Sequence, residues 1–338
     1  IDRLQQVERW VGKQRAALEN MLQRRKREGF IRECHGDLHL GNITLIDGRV
    51  TPFDCIEFNP GLRWIDVFSE VAFLLMDLDD RGYPSFDFRF LNGYLQHSGD
   101  YGGLGVLSWY KVYRALVRAK VAMLRRAQET PESAAWREAG EEYHQYMVLA
   151  ESYIRPPRPR LLITLGLSGS GKSTLARRLC ERAGMIQLRS DVERKRLAGM
   201  AATERSGSGI ASGLYSRERT AQTYERLAGL ARQVVQAGYP VIVDASFLQR
   251  SWRERFHGLA GELGVPFTIL DCEAPVEVLE QRIRERARAG RDPSEATLEV
   301  LHHQLETRQT VTGDEQPFVI RVDTQQPGAT ERVLELLS

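Results

Sequence analysis

The chain has 338 residues, more than a single hydrophobic core usually serves, so two domains of ordinary size are expected. Hydrophobic residues make up 42% and charged residues 27%, which excludes a disordered or collagen-like chain, and the formal net charge of +2 singles out neither nucleic acid nor a membrane as partner. No apolar run approaches eighteen residues, the opening IDRLQQVERW lacks the apolar centre of a signal peptide, and the four cysteines lack CxxC spacing; a cytoplasmic chain with reduced thiols and no zinc or disulfide framework is expected. The opening at Ile1, in place of a methionine, reads as a fragment or a processed chain.

From Arg3 to about Arg27, Leu4, Val7, Val11, Leu18 and Leu22 recur at near-helical spacing among charges, which predicts an amphipathic helix ended near Gly29. RECHGDLHLGN follows at residues 32–42, and then NITLIDGRVTPFD, two short β-prone runs about Asp47-Gly48, a hairpin signal. That hairpin carries Asn42 at one end and Asp54 at the other. Helices are expected in WIDVFSEVAFLLMDL, in LSWYKVYRALVRAKVAMLRRA and in ESAAWREAGEEYHQYMVLAESYI, so the region 1–153 is mostly helical. RPPRPR then breaks every periodicity, and 154–160 is read as a linker. Beyond it, over 161–338, strand and helix alternate: LLITLGL with KSTLARRLCERA, IQLRS with a helix, YPVIVDAS with WRERFHGLAGEL, PFTILDC with PVEVLEQRIRERARA, and FVIRVD with ATERVLELL. The fold class expected is α/β, a parallel sheet with helices on both faces preceded by a helical half.

GLSGSGKST, residues 166–174, fits G-x-x-x-x-G-K-[ST] between a predicted strand and a predicted helix. Such a loop wraps phosphates with backbone N–H groups, and a Cβ at its glycines would obstruct the approach. Gly166, Ser168, Gly169, Ser170, Gly171, Lys172, Ser173 and Thr174 are therefore candidate nucleotide-binding residues. Lys172 would reach the terminal phosphates and the Ser173 hydroxyl would bind Mg²⁺.

Ligands of open α/β sheets bind at the carboxyl ends of the strands, and three groups stand there. In RSDVERKR, Asp191 follows a predicted strand and would take a proton from an attacking hydroxyl, or alternatively serve as a plain helix cap; Arg194, a turn further on, would hold an anionic group. Asp244 ends VIVD, where an acid would approach the Mg²⁺. QRIRERARAGRDPSEAT reads as a lid whose arginines close over phosphates, with Arg282 and Arg286 sharing a face. The polar RSGSGIASG reads as a surface loop that could report nucleotide occupancy.

GLSGSGKST, RSDVERKRL, VIVDASF and RDPSEAT together resemble the predicted small-molecule kinases of the P-loop superfamily, which include polynucleotide kinase, gluconate kinase and zeta toxins. The resemblance implies transfer from ATP to a hydroxyl of a small molecule or nucleotide, with Asp191 as base; the alternative kept open is an ATP-binding switch or ATPase. HGDLHLGN and PFDCIEFN resemble the catalytic loop and metal site of aminoglycoside and choline phosphotransferases. Carried over, Asp37 is the acceptor-side base, Asn42 and Asp54 are Mg²⁺ ligands, His35 and His39 support the loop, and Asp66 is scaffold where that family has an aspartate bonded to the loop backbone. Over 1–153 the likeness covers only the carboxyl-terminal lobe of that fold, without its nucleotide-covering lobe. The whole chain resembles bifunctional aminoglycoside phosphotransferase and ATP-binding proteins.

Overall fold

The computed structural model describes residues 3–155, 158–202, 204, 216–289 and 294–337. Two compact units divide the chain: Ile1–Leu91 with Gly102–Pro156, and Asn92–Tyr101 with Pro157–Ser338.

The first unit begins with α1 (Arg3–Arg27), whose last turn carries Arg24, Arg25, Lys26 and Arg27, cations placed where the helix dipole is negative. Strand β1 (Ile31–Glu33) later pairs antiparallel with β4 (Trp64–Asp66), while β2 (Ile43–Ile46) and β3 (Arg49–Pro52) form a hairpin closed by Asp47 and Gly48, both at positive φ (50° and 73°). A short helix α2 (Pro60–Arg63) precedes β4. Then come α3 (Val67–Asp80), α4 (Pro84–Ser98), α5 (Leu104–Gln128) and α6 (Ala134–Tyr153). Val7 of α1, Phe73 and Met76 of α3, Val112, Ala115 and Ala119 of α5, and Tyr146, Met147 and Ala150 of α6 form one apolar core. The helix expected from Trp64 instead starts at Val67, because Asp66 accepts the Phe68 N–H as its cap and leaves Trp64–Asp66 to pair with β1. Helix α4 was not expected. Its Phe-rich sequence and Gly93 conceal a helical period, and Pro84 at its start supplies the missing signal.

The second unit runs β5 (Leu161–Leu165), α7 (Lys172–Ala183), β6 (Ile186–Arg189), α8 (Ser190–Leu197), α9 (Arg217–Gln236), β7 (Val241–Asp244), α10 (Arg250–Leu263), β8 (Phe267–Glu273), α11 (Val276–Ala289), α12 (Leu298–Thr307), β9 (Val319–Asp323) and α13 (Ala329–Leu337). Its five strands are parallel in the order β6-β7-β5-β8-β9. Leu162, Ile242 and Leu270 face Leu175, Ala176 and Leu179 of α7 and Val333 of α13. The alternate residues Leu161, Ile163, Val241, Val243 and Ile269 are equally buried, under α9 and α10 on the other face. The α/β architecture read from the sequence is thus present, with a helical first unit. Two helices, α8 and α9, stand where one was expected between β6 and β7, and α12 is an addition.

The Asn92–Tyr101 segment joins the second unit for a local reason. The Asn92 amide donates to Met185 O at 2.9 Å and accepts from Gln187 N at 2.7 Å, bonding the outer edge of β6. RSGSGIASG and Arg291 lie outside the described residues. Among the described residues no helix is long and apolar enough to cross a membrane, and the four cysteines are unbridged.

Candidate functional site

A cleft of about 670 Å³ opens at the carboxyl ends of the second unit's strands. Its floor is the loop 166–174. Gly171 sits at φ +86° as the cap residue of α7, and Gly169, at φ +84°, comes so close to α11 that a Cβ there would stand 2.7 Å from Leu279 O. The first turn of α7 leaves N–H groups without helical partners at the cleft, and the helix dipole adds positive potential there.

Lys172 folds back over this loop. Its Nζ donates to Gly166 O at 2.9 Å, Leu167 O at 2.7 Å and Ser170 Oγ at 3.4 Å. Burial pushes the ammonium below its ordinary pKa, with the Asp244 carboxylate opposing that shift. Asp244, at the end of β7, is 4% exposed, and burial raises its pKa, against the pull of Arg189, a hydrogen bond from Ser173 and Lys172. Gln187 Nε2 donates to Asp244 Oδ2 at 3.0 Å, and Arg189 Nε lies 3.7 Å from the same oxygen.

Asp191 lies in the first turn of α8 and Arg194 on the next turn, and both line the cleft. The cap position of α8 belongs to Arg189, so Asp191 is not the helix cap. Arg282 and Arg286 line the cleft too, but are held differently. Arg282 donates to Gly169 O at 3.2 Å and to Thr324 Oγ1 at 3.0 Å, bracing the phosphate loop, whereas Arg286 donates to Ala296 O at 3.2 Å. Arg284 turns to Glu280 on the exposed side of α11.

Several cleft residues escaped the sequence reading. Gln304 of α12 accepts the Ser168 N–H at 2.8 Å, tying that helix to the phosphate loop. Thr297, which caps α12 by accepting from Val300 N, followed by Leu298, Leu301 and Leu305, is the signal that would have found it. Tyr224 of α9 and Trp252 of α10 stack at 4.7 Å, while Thr324, Gln326 and Thr330 line the opposite wall.

In the first unit the loop 35–42 is built from side chains. Asp37 Oδ2 lies 3.4 Å from His39 Nε2 and 3.2 Å from Asn42 Nδ2, and these contacts, His39 foremost, hold the Asp37 carboxyl below its usual range. The loop's backbone is held by two carboxylates: Glu70 accepts from Gly36 N at 2.7 Å and Leu38 N at 3.2 Å, and Asp77 accepts from Leu40 N at 2.8 Å. Asp66 does not bond this loop; it pairs in two contacts with buried Arg25, at 2.7 and 2.9 Å, and caps α3. His35 Nε2 meets Phe53 O at 2.8 Å, and His39 Nδ1 accepts from Gly41 N. Asn42 is 8% exposed, its carbonyl accepting from Phe53 N at 2.9 Å; Asp54, the next residue along, is exposed at φ +59°.

Residues 161–311 match the family model described as an AAA domain. The matched segment contains the loop 166–174 together with Asp191, Asp244, Arg282 and Arg286. An uncharacterized protein of Mycobacterium tuberculosis (strain ATCC 25618 / H37Rv) is 33% identical over 299 residues, 88% of this chain and 58% of its own length. The chain thus spans little more than half of that relative. The adenylyl-sulfate kinase of Myxococcus xanthus is 32% identical over 120 residues, 35% of this chain and 60% of the kinase. Among solved structures, a sugar kinase from Janibacter is 25% identical with a TM-score of 0.40, covering 53% of this chain and 94% of its own.

Proposed function

We propose that the second unit is an ATP- and Mg²⁺-dependent phosphotransferase acting on a hydroxyl of a small molecule or nucleotide. The observation that carries this reading is the convergence, in one cleft, of the loop 166–174 with Lys172 and Ser173, of Asp244 and of Asp191. The kinase among the sequence relatives supports it. In the reaction, the acceptor hydroxyl gives its proton to an Asp191 carboxylate oxygen, and the hydroxyl oxygen forms a bond to the γ-phosphorus. The bond from that phosphorus to the β–γ bridging oxygen breaks, and ADP leaves. Lys172, released from its loop carbonyls, and Arg286 would face the phosphoryl oxygens and stabilise their charge; Arg282 would hold the loop and Arg194 the acceptor.

The oxygen donors Ser173 and Asp244 fit Mg²⁺, which is usually held by one or two protein oxygens together with substrate phosphates. Bound there, Mg²⁺ would neutralise phosphate charge.

For the first unit we infer a phosphotransferase-like lobe, separated from the second unit by the linker 154–160, in which Asp37 would be the acceptor-side base and Asn42 and Asp54 the metal ligands. The hydrogen bond from Asn42 to Asp37, at 3.2 Å, supports that reading. The test of the main proposal is a survey of hydroxyl acceptors with γ-labelled ATP, comparing the natural chain with Lys172→Ala. A labelled product lost in the variant is expected. Slow hydrolysis with no product would leave an ATP-driven switch instead.

A further inference from the structure

The acceptor side of the cleft has a feature that phosphate chemistry does not require. Trp252 lines it from the first turn of α10, half-buried, with its ring stacked on Tyr224 at 4.7 Å and an interplanar angle of 19°. Tyr224 is 4% exposed and locked in place: Phe247 N donates to its hydroxyl at 3.1 Å, and its ring meets Phe247 edge-on at 5.1 Å, which in turn meets Phe256 edge-on at 5.0 Å. Tyr224 therefore fills the core role, and Trp252 is the outermost plate of a fixed aromatic stack.

The next residue fixes the plate's mounting. Arg253 is 1% exposed, and all five of its N–H donors are engaged: two on Glu315 at 2.6 and 2.8 Å, and one each on Phe247 O, Gln309 O and Thr310 O. The rigid indole lines the cleft beside Asp191, Arg194, Ser246 and Gln249, and with Ala245 and Leu248 it gives that polar wall an apolar face. A ligand that meets all three chemistries has a hydroxyl for Asp191, an anionic group for Arg194 and a flat or ring-shaped face for Trp252.

We propose that the acceptor is a hydroxylated ring compound bearing an anionic group, its ring lying on Trp252. This deepens the kinase reading above and rests on it. A linear hydroxy acid would satisfy Asp191 and Arg194 but leave the indole uncovered. The shared chemistry occurs in sugar phosphates and sugar acids and in nucleotides, and the arms of the test separate these sources.

The full chain is given γ-labelled ATP, Mg²⁺ and, in separate arms, glucose 6-phosphate, glucuronate, AMP, gluconate and glycerol 3-phosphate. Transfer to at least one of the first three is expected at about tenfold higher kcat/KM than to the two acyclic anions. Trp252→Leu lowers kcat/KM for that ring acceptor about tenfold, whereas Trp252→Phe, which keeps a ring face, lowers it about threefold or less. Affinity for a fluorescent ATP analogue, measured on each variant, reports that the cleft is still folded. Equal use of acyclic and ring anions, or a Trp252→Leu variant that binds nucleotide and transfers normally, overturns the ring inference alone. Bound ATP with no transfer in any arm overturns the kinase reading, and this inference with it.

Discussion

The two loops proposed to carry phosphoryl-transfer residues are built on different principles. In the first unit, Asp37, His39 and Asn42 are bonded to one another, and the N–H groups of Gly36, Leu38 and Leu40 are taken by Glu70 and Asp77. In the second unit, glycines bring the backbone itself to the cleft, and Lys172, one of several cations there, is held by the loop's own carbonyls. A loop whose amides are taken by carboxylates presents side chains; the second loop gives its Gly166, Ser168 and Ser170 N–H groups to Ser246 O, Gln304 Oε1 and Leu167 O, and it is the first turn of α7 that leaves N–H groups at the cleft. Residue types alone do not distinguish these cases, since both loops read as phosphate chemistry.

The largest effects should fall on the second loop and its neighbour. Asp191→Asn should lower phosphoryl transfer by about 10²–10⁴-fold while nucleotide affinity holds, measured by steady-state kinetics beside nucleotide titration. Lys172→Ala should lower transfer about 10²–10³-fold. Any nucleotide binding left in Lys172→Ala that is abolished by adding Asp54→Asn would move ATP to the first unit and break the contrast.

Buried ion pairs extend the comparison to stability. Glu315→Gln leaves the Arg253 guanidinium buried without its counter-charge and should cost the second unit about 3 kcal/mol, measured by denaturant unfolding. The first unit hides Lys111 between Asp79 at 2.7 Å and Asp87 at 2.9 Å. Burial pushes the Asp87 carboxyl up to about 7, against the pull of Lys111. Because the folded value lies above the unfolded one, this group's contribution is full at acid pH below the unfolded value and is lost as pH rises through about 7. Thermal melts from pH 5.5 to 8 should show the first unit weakening upward, and Asp87→Asn should flatten that slope. The smallest expected effect is that of Asp37→Asn, which should leave transfer by this chain unchanged; a loss would give the first loop a share in the chemistry.

Periodicity and turn chemistry made most of the second unit legible before its structure. Lys172–Ala183 was readable to the residue because Gly171 and Gly184, both at positive φ, bracket an amphipathic run. What stayed hidden depends on long-range partners. Gln304 matters through an N–H 136 residues away, and Trp252 through the face of Tyr224, relations that no local pattern encodes. Asp66 is scaffold, as its place in the chain suggested, but through partners no local pattern encodes: Arg25, brought close by α1, pairs with it, and Glu70, one helical turn further on, takes up the loop backbone.

The strand order has a consequence for how the proposed nucleotide site comes into being. β5, which carries the phosphate loop, lies between β7 and β8, so Leu162 pairs with Ile242 and Thr268, residues made much later in synthesis. Contacts of such sequence separation close slowly. The loop 166–174 of a nascent chain therefore has no strand on both sides of β5 until about residue 273 has left the ribosome, and the last strand, β9, comes only with Val319–Asp323, whereas the Asp47–Gly48 hairpin forms from neighbours. ATP, binding only the finished sheet, would act late as a ligand that traps the folded second unit.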